Sequence, residues 1–117
     1  MSAAKQKGTL AESAFVKYLS ANGFPHAERR ALAGVNDQGD IAGVVGMAFE
    51  VKNHKKYSFP AWLKEATIEK ENSRADYCPL IVKPVGVGTN SVGDWWAILT
   101  VAELVHLIRT AGYGDAL

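Results

Sequence analysis

The chain has 117 residues, of which 48% are hydrophobic, and carries a formal net charge of +1. This length and composition indicate one domain with a single core. So small a charge excludes a strong global attraction to nucleic acid, so any such binding must come from local clusters of basic residues. The one cysteine, Cys78, cannot form an internal disulfide and lies in an apolar run. A reducing setting is therefore expected. No apolar run approaches the roughly 20 residues that cross a bilayer, so we expect a soluble, cytoplasmic protein without a membrane partner.

The first predicted element is a helix. Thr9-Leu-Ala-Glu12 has the pattern of a capping box, which predicts a helix from Thr9 to about Asn22 that ends at Gly23, after a flexible tail over residues 1–7. Phe15, three residues after Glu12, begins the apolar stripe of this helix. Glu12 therefore lies at the end of a core-facing stripe, where a carboxylate costs free energy unless a cationic group receives it.

A charged pair follows in a predicted hairpin. Residues 27–32 form a first expected strand, and residues 40–52 read as two short strands around a turn at Gly43 to Gly46. Alternate side chains of a strand share a face, so Glu50 and Lys52 point the same way. Folding the hairpin would bring Asp40 next to both. A structural ion pair at the end of the hairpin is the simpler explanation of these three residues alone.

The remaining pattern completes the fold class. Pro60 begins a predicted helix that reaches Ser73, with Trp62, Leu63, Ala66 and Ile68 on or near its buried side. The later predicted elements are strands over Pro79–Pro84 and Asp94–Thr100, a helix over Val101–Thr110 and a frayed tail from Gly112 to Leu117. This order predicts an α/β or α+β domain spanning residues 1–117, with a central mixed sheet of about five strands and helices on each face.

Two further patterns have simple structural explanations. Trp95 and Trp96 are adjacent in a predicted strand and must face opposite sides, so we expect one in the core and the other under a partner subunit. Asp37, three residues before Asp40, is an alternative candidate for binding a cation, although a turn-forming role in the Asn-Asp-Gln-Gly loop is the simpler explanation.

Several motifs follow one another along the chain: Lys7-Gly8 with Glu12 in the first helix, Arg29-Arg30, Gly34, Gly39-Asp40-Ile41, and Glu50-Val-Lys52 followed by Lys55-Lys56. In this order the motifs resemble the PD-(D/E)XK nuclease superfamily and, within it, the small Holliday junction resolvases of archaeal and phage type. The resemblance covers most of the chain. Gly39 stands where the superfamily name has proline. The resemblance implies a restriction-endonuclease-like core.

The resemblance also implies a catalytic site. Glu12, Asp40 and Glu50 would hold one or two Mg²⁺ ions, which Mn²⁺ could replace, and Lys52 would lie near the attacking water. Magnesium prefers hard oxygen ligands and keeps several waters, so carboxylates suit it. The expected contacts to DNA phosphates come from Lys5, Lys7, Arg29, Arg30, Lys55 and Lys56.

Three functions stay open from the sequence. The first is an endonuclease that cuts four-way DNA junctions as a homodimer, since resolution needs a cut in each of two strands. The second is another nuclease of the same superfamily, of nicking, restriction or repair type. The third is a nucleic-acid-binding module without catalysis.

Overall fold

The computed structural model describes residues 2–30 and 41–116, which form an α+β domain. The described elements follow the predicted order of helix, three strands, helix, two strands and helix. Their bounds are α1 Ala3–Ala21, β1 Glu28–Arg29, β2 Ile41–Ala42, β3 Glu50–Lys52, α2 Phe59–Ser73, β4 Leu80–Val82, a 3-10 turn Val92–Asp94, β5 Trp96–Ile98 and α3 Val101–Thr110. Within this described part, no helix is both long and apolar enough to cross a membrane.

Helix α1 begins six residues earlier than predicted. Its N-cap is Ser2, whose hydroxyl accepts a hydrogen bond from the backbone N–H of Lys5 at 3.2 Å. A serine at this position satisfies one of the free N–H groups of the first turn. The capping box at Thr9 therefore does not start the helix, and residues 3–7 are helical. The predicted end at Asn22 is confirmed, with Gly23 following at a φ of +102°.

The predicted hairpin of β2 with β3 is wrong for the described residues. β2 pairs antiparallel with β1, whereas β3 pairs parallel with β4, Glu50 lying opposite Leu80. A parallel pair needs a long crossover, and α2 supplies it. The chain turns at Gly43 and Gly46, both at positive φ, and the strand that follows meets the segment after α2 instead of returning to β2.

The predicted five-stranded central sheet is likewise not observed in the part of the chain that the structure describes. Two sheets are present, a two-stranded β1–β2 and a three-stranded β3–β4–β5, in which β4 and β5 are antiparallel. The strands are shorter than the apolar runs predicted them to be. Helix α3 has the predicted bounds, and α2 begins one residue before its predicted start.

The three-stranded sheet lies between two helices, as the sequence predicted. Phe49 and Val51 point to the α1 side, where they pack with Phe15 of that helix. On the opposite side, Leu80 and Val82 pack against Trp62 of α2. The main cluster on the α1 side comprises Ala11, Phe15, Ile41, Phe49, Val51, Ile81, Val92 and Trp95. Side-chain alternation along β3 therefore places Glu50 and Lys52 on the α2 side.

Two predictions about buried side chains have different outcomes. Trp95 is buried at 8% exposure and Trp96 is 43% exposed, so the neighbouring tryptophans do face different environments. Trp62 and Ala66 of α2 are buried as predicted, but Ile68 is 48% exposed. Ile68 is two residues beyond Ala66, about 200° around the helix, which takes it out of the core that Ala66 enters.

Candidate active site

The site is built on β3, where Glu50 and Lys52 lie on the same face as predicted. Lys52 Nζ is 3.1 Å from Glu50 Oε1, and the two side chains are only 17% and 7% exposed. The other oxygen of this carboxylate, Oε2, is buried and has no hydrogen-bond partner in the described part of the protein. A buried carboxylate oxygen that accepts no hydrogen bond lowers stability, and it leaves Glu50 with one oxygen able to bind a cation.

Helix α2 adds two carboxylates that sequence reasoning did not find. Lys52 Nζ donates to Glu65 Oε2 at 2.6 Å. Glu50 accepts a hydrogen bond from the carboxyl group of Glu69, which is itself buried. Glu65 and Glu69 are four residues apart, so they lie one turn apart on the same face of the helix. This spacing is visible in the sequence, but the sequence does not show that the face of β3 with Glu50 and Lys52 packs against α2.

These side chains line an open cleft of about 450 Å³ between β3, α2 and the first turns of α1. Its residues on β3 and just after it include His54, whose ring lies 5.2 Å from that of Trp62. The lining consists of Ala4, Gly8, Glu50, Val51, Lys52, Asn53, His54, Glu65, Ile68, Glu69 and Asn72. Acidic, basic and amide groups thus meet in one concave site, the usual setting of a ligand site.

Burial and charge act in opposite directions on the two central groups. Burial raises the pKa of Glu50 above its usual range, although the Glu69 hydrogen bond and the Lys52 ammonium both oppose this. Burial lowers the pKa of Lys52, but its bonds to Glu65 and Glu50 outweigh burial, so the pKa is raised overall. Lys52 therefore keeps its proton at neutral pH, as the sequence predicted for a lysine beside anionic groups.

Glu12 has the cationic partner that its position requires, and that partner is Arg29. Arg29 Nη2 is 3.0 Å from Glu12 Oε1, and its Nε donates to the same oxygen at 3.1 Å. The same guanidinium reaches the hydroxyl of Thr9 at 3.5 Å. The pair ties α1 to β1. The residues that α1 gives to the cleft are Ala4 and Gly8, neither of which has a side chain able to bind a metal.

Asp40 lies outside the described residues, as do Asp37, Gly34 and Gly39. The predicted convergence of Glu12, Asp40 and Glu50 on one cation therefore stays a prediction. Among the residues that are described, no three His, Cys, Asp or Glu side chains are grouped to hold a metal ion. The cleft nevertheless offers hard carboxylate oxygens, one of them the buried Oε2 of Glu50, which fit a Mg²⁺ ion that keeps several of its waters.

The predicted DNA-binding residues divide into four lysines in segments next to the cleft and two arginines on and after β1. Lys5 and Lys7 are in the first turns of α1, and the backbone carbonyl of Lys7 accepts a hydrogen bond from Asn53 at 3.1 Å. Lys55 and Lys56 follow β3 and are exposed. Arg29 and Arg30 are exposed on and after β1, with the guanidinium of Arg29 bound to Glu12 as described. The lysines at residues 5, 7, 55 and 56 therefore come from segments next to the cleft.

No family model, curated protein or solved structure matches the chain.

Proposed function

We propose that the protein is a metal-dependent DNA endonuclease that hydrolyses phosphodiester bonds in branched DNA. The observation that carries the proposal is the Glu50–Lys52 pair, nearly buried on β3 at the base of a cleft. The order of elements supports it: a helix, three strands and a crossover helix leading to a strand parallel with β3. We include a restriction-endonuclease-like core in the proposal as what the sequence resemblance implies.

The proposed chemistry assigns each side chain a role. Asp40 and Glu50, with Glu12 as the third expected ligand, would hold Mg²⁺, which supplies charge stabilisation at the phosphoryl oxygens and a water of lowered pKa. Lys52 keeps its proton and so orients the attacking water and stabilises developing negative charge, instead of acting as a general base. Glu65 holds the ammonium group of Lys52 at the cleft from the α2 side.

Cleavage of a labelled immobile four-way junction tests the proposal, with linear duplex and flap DNA as competitors. We expect cutting with Mg²⁺ or Mn²⁺, none with chelator, and none by the Asp40→Asn variant, which should keep its fold and much of its DNA binding. Equal cutting of junction and linear duplex would favour a nicking, restriction or repair nuclease. Binding of DNA without any cutting in Mg²⁺ would favour the non-catalytic module.

Lys52→Met tests the role of the lysine. Because the ammonium acts on charge that develops during the reaction, we expect this variant to bind metal and DNA normally and to cut at least about a hundredfold more slowly. Single-turnover cleavage measures this directly. A rate equal to that of the wild type would remove Lys52 from the chemistry.

The proposal includes a homodimer that acts in the cytoplasm. Two active sites related by a two-fold axis match the symmetry of a four-way junction, in which two strands must be cut. Helix α3 supports the dimer because its apolar residues are exposed: Val101 at 77%, Leu104 and Val105 at 47% each, and Ile108 at 41%. They recur at the spacing of a single helical stripe, and such exposed apolar patches mark interaction surfaces.

A further inference from the structure

The side of the sheet on which Glu50 lies decides which helix can contribute to its site. Phe49 and Val51 face α1, so Glu50 between them faces α2. Glu69 of α2 reaches it directly, through a hydrogen bond between the two carboxyl groups. Both residues are more than nine-tenths buried, at 5% exposure for Glu50 and 9% for Glu69, and both line the cleft.

The state of the Glu50 carboxylate points to a cation. Its side chain is 7% exposed and its Oε2 atom has no hydrogen-bond donor among the residues that the structure describes. Lys52 contacts only the other oxygen and divides its charge between Glu50 and Glu65. Glu50 and Glu65 thus share one ammonium group, and Glu69 contacts Glu50 through a hydrogen bond that requires a proton on one of the two carboxyl groups. A divalent cation would take the place of that proton and bind both carboxylates.

The Glu12 carboxylate, in contrast, already has a cationic partner. Its Oε1 atom accepts both nitrogens of a guanidinium fork from Arg29, at 3.0 and 3.1 Å. Arg29 thus supplies the positive charge that the Glu12 carboxylate needs, without a metal ion. The side of α1 that reaches the cleft presents Ala4 and Gly8 instead.

We propose that Glu69 of α2, and not Glu12 of α1, joins Glu50 in binding the divalent cation. The inference rests on the proposed function and changes its ligand set. Two carboxylates are sufficient for the protein's share of a Mg²⁺ site, because this ion is usually held by one or two carboxylates and keeps several waters. Glu65 then has a separate role as the residue that positions Lys52.

Mn²⁺ binding to metal-free protein, measured by titration calorimetry, tests this assignment without reference to cleavage. We expect Glu69→Gln to weaken Mn²⁺ binding at least about tenfold and Glu12→Gln to leave it within about twofold of the wild type. Glu71→Gln is the matched control, since Glu71 is an exposed glutamate on the same helix. Circular dichroism in chelator checks that each variant is folded.

A second measurement needs no variant at all. Mn²⁺ is paramagnetic, so a substoichiometric titration into ¹⁵N-labelled wild-type protein broadens the amide signals nearest the ion. We expect the strongest broadening at residues 50 and 69 and weaker broadening at residue 12. This result holds even if Glu69→Gln does not fold.

The outcomes separate this inference from the nuclease proposal. Loss of binding in Glu12→Gln with normal binding in Glu69→Gln, or broadening centred on residue 12, overturns the role of Glu69 and leaves the nuclease intact. A wild-type protein that does not bind millimolar Mn²⁺ also overturns it. Mn²⁺ binding that depends on Glu69, in a protein that cuts no DNA, supports the metal site and rejects the nuclease.

Discussion

At the scale of the residue, Glu50 is placed where its charge reduces stability. Burial raises its pKa in the folded protein above the value near 4.3 of an exposed glutamate. A raised pKa means that the folded state holds the proton more tightly than the unfolded state. The resulting stabilisation is complete below the unfolded pKa and is lost as pH rises through the folded pKa. At neutral pH, therefore, the ionised carboxylate opposes folding.

Replacing Glu50 by glutamine should therefore stabilise the metal-free protein at pH 7–8. Glutamine keeps the shape and removes the buried charge, and each pH unit between the folded and unfolded pKa corresponds to about 1.4 kcal/mol. Urea unfolding in chelator at pH 4 and pH 8 measures the effect, which should be large at pH 8 and small at pH 4. Glu71→Gln, at an exposed site on α2, should change neither. If Glu50→Gln is instead less stable than the wild type at pH 8, the ion pair with Lys52 stabilises the protein by more than burial of the Glu50 charge destabilises it.

Gly43 is the second residue whose role is fixed by its surroundings. It has a φ of +91°, and a Cβ atom there would collide with the backbone carbonyl of His26, just before β1. Gly43→Ala should therefore separate β1 from β2. Gly86→Ala is a matched control because Gly86 has a similar φ of +84° with open space around it.

In both variants alanine must adopt a positive φ, which lowers stability by about 1–2 kcal/mol. Gly43→Ala should cost a further 1–3 kcal/mol, about the penalty of forcing extra atoms into a packed site. Thermal unfolding of the two variants gives the difference. Equal losses of stability in the two variants would mean that β1 and β2 move apart to accommodate the Cβ atom at no cost in free energy.

The two central site residues were predictable from the sequence, and the two on α2 were not. Glu50 and Lys52 are two positions apart in an apolar strand, so strand geometry alone puts them together. Glu65 and Glu69 read as exposed charges of an amphipathic helix, since their contact with β3 depends on how α2 crosses the sheet. Glu12 was correctly predicted to need a cationic partner, but its pairing with Arg29 is a long-range contact that a local pattern does not reveal.

At the scale of the element, helices were predicted better than strand pairing. Helix α3 has its predicted bounds because Thr100 caps it, its hydroxyl accepting from the N–H of Glu103 at 3.2 Å. The β2–β3 hairpin failed because the turn glycines suggest a local return, whereas β3 instead gains a partner in β4, thirty residues along the chain. β3 carries the site at one edge of the three-stranded sheet, and its partner β4, the middle strand, holds it in place.

The neighbouring tryptophans test how far β5 and the turn before it anchor the fold. Trp95 packs in the α1-side core and its Nε1 donates to the carbonyl of Gly88 at 3.1 Å. Trp96 makes edge contacts with Tyr57 and Phe59 and is 43% exposed. Trp95→Ala should cost about 3–5 kcal/mol. Trp96→Ala should cost about 1 kcal/mol, the range of an aromatic pair.

Chemical denaturation of both tryptophan variants measures these values. Both variants replace a tryptophan by alanine at adjacent positions, so effects on the unfolded chain are the same in both. The difference between their stability losses therefore reports the surroundings of the two side chains. A Trp96→Ala variant as unstable as Trp95→Ala would mean that the contacts of Trp96 with Tyr57 and Phe59 stabilise the protein as much as the core contacts of Trp95 do. Mn²⁺ affinity should stay unchanged in Trp96→Ala, because the cleft does not include that residue.

At the scale of the whole molecule, α3 is attached to the rest of the described chain by polar contacts. Glu103 Oε2 is 3.7 Å from Lys70 Nζ and accepts from the backbone N–H of Cys78 at 3.4 Å, and His106 is hydrogen-bonded to Tyr77. None of the ten residues of α3 is buried against the described part of the protein. An amphipathic helix whose apolar side stays exposed is stabilised by covering that side, which the proposed homodimer would do.

Val105→Asp tests that proposal directly. A charge placed on the apolar stripe of α3 would be buried without a partner in a dimer but would remain in water in a monomer. We expect the variant to keep its melting temperature at low concentration and to raise the dimer dissociation constant at least about a hundredfold, equivalent to about 2.7 kcal/mol. Val45→Asp is the control, because Val45 is fully exposed in the turn after β2. Sedimentation equilibrium should find a wild-type dimer, a Val45→Asp dimer and a Val105→Asp monomer. A wild-type protein that stays monomeric at high micromolar concentration and on junction DNA would reject the dimer, and a dimeric Val105→Asp would place its interface elsewhere.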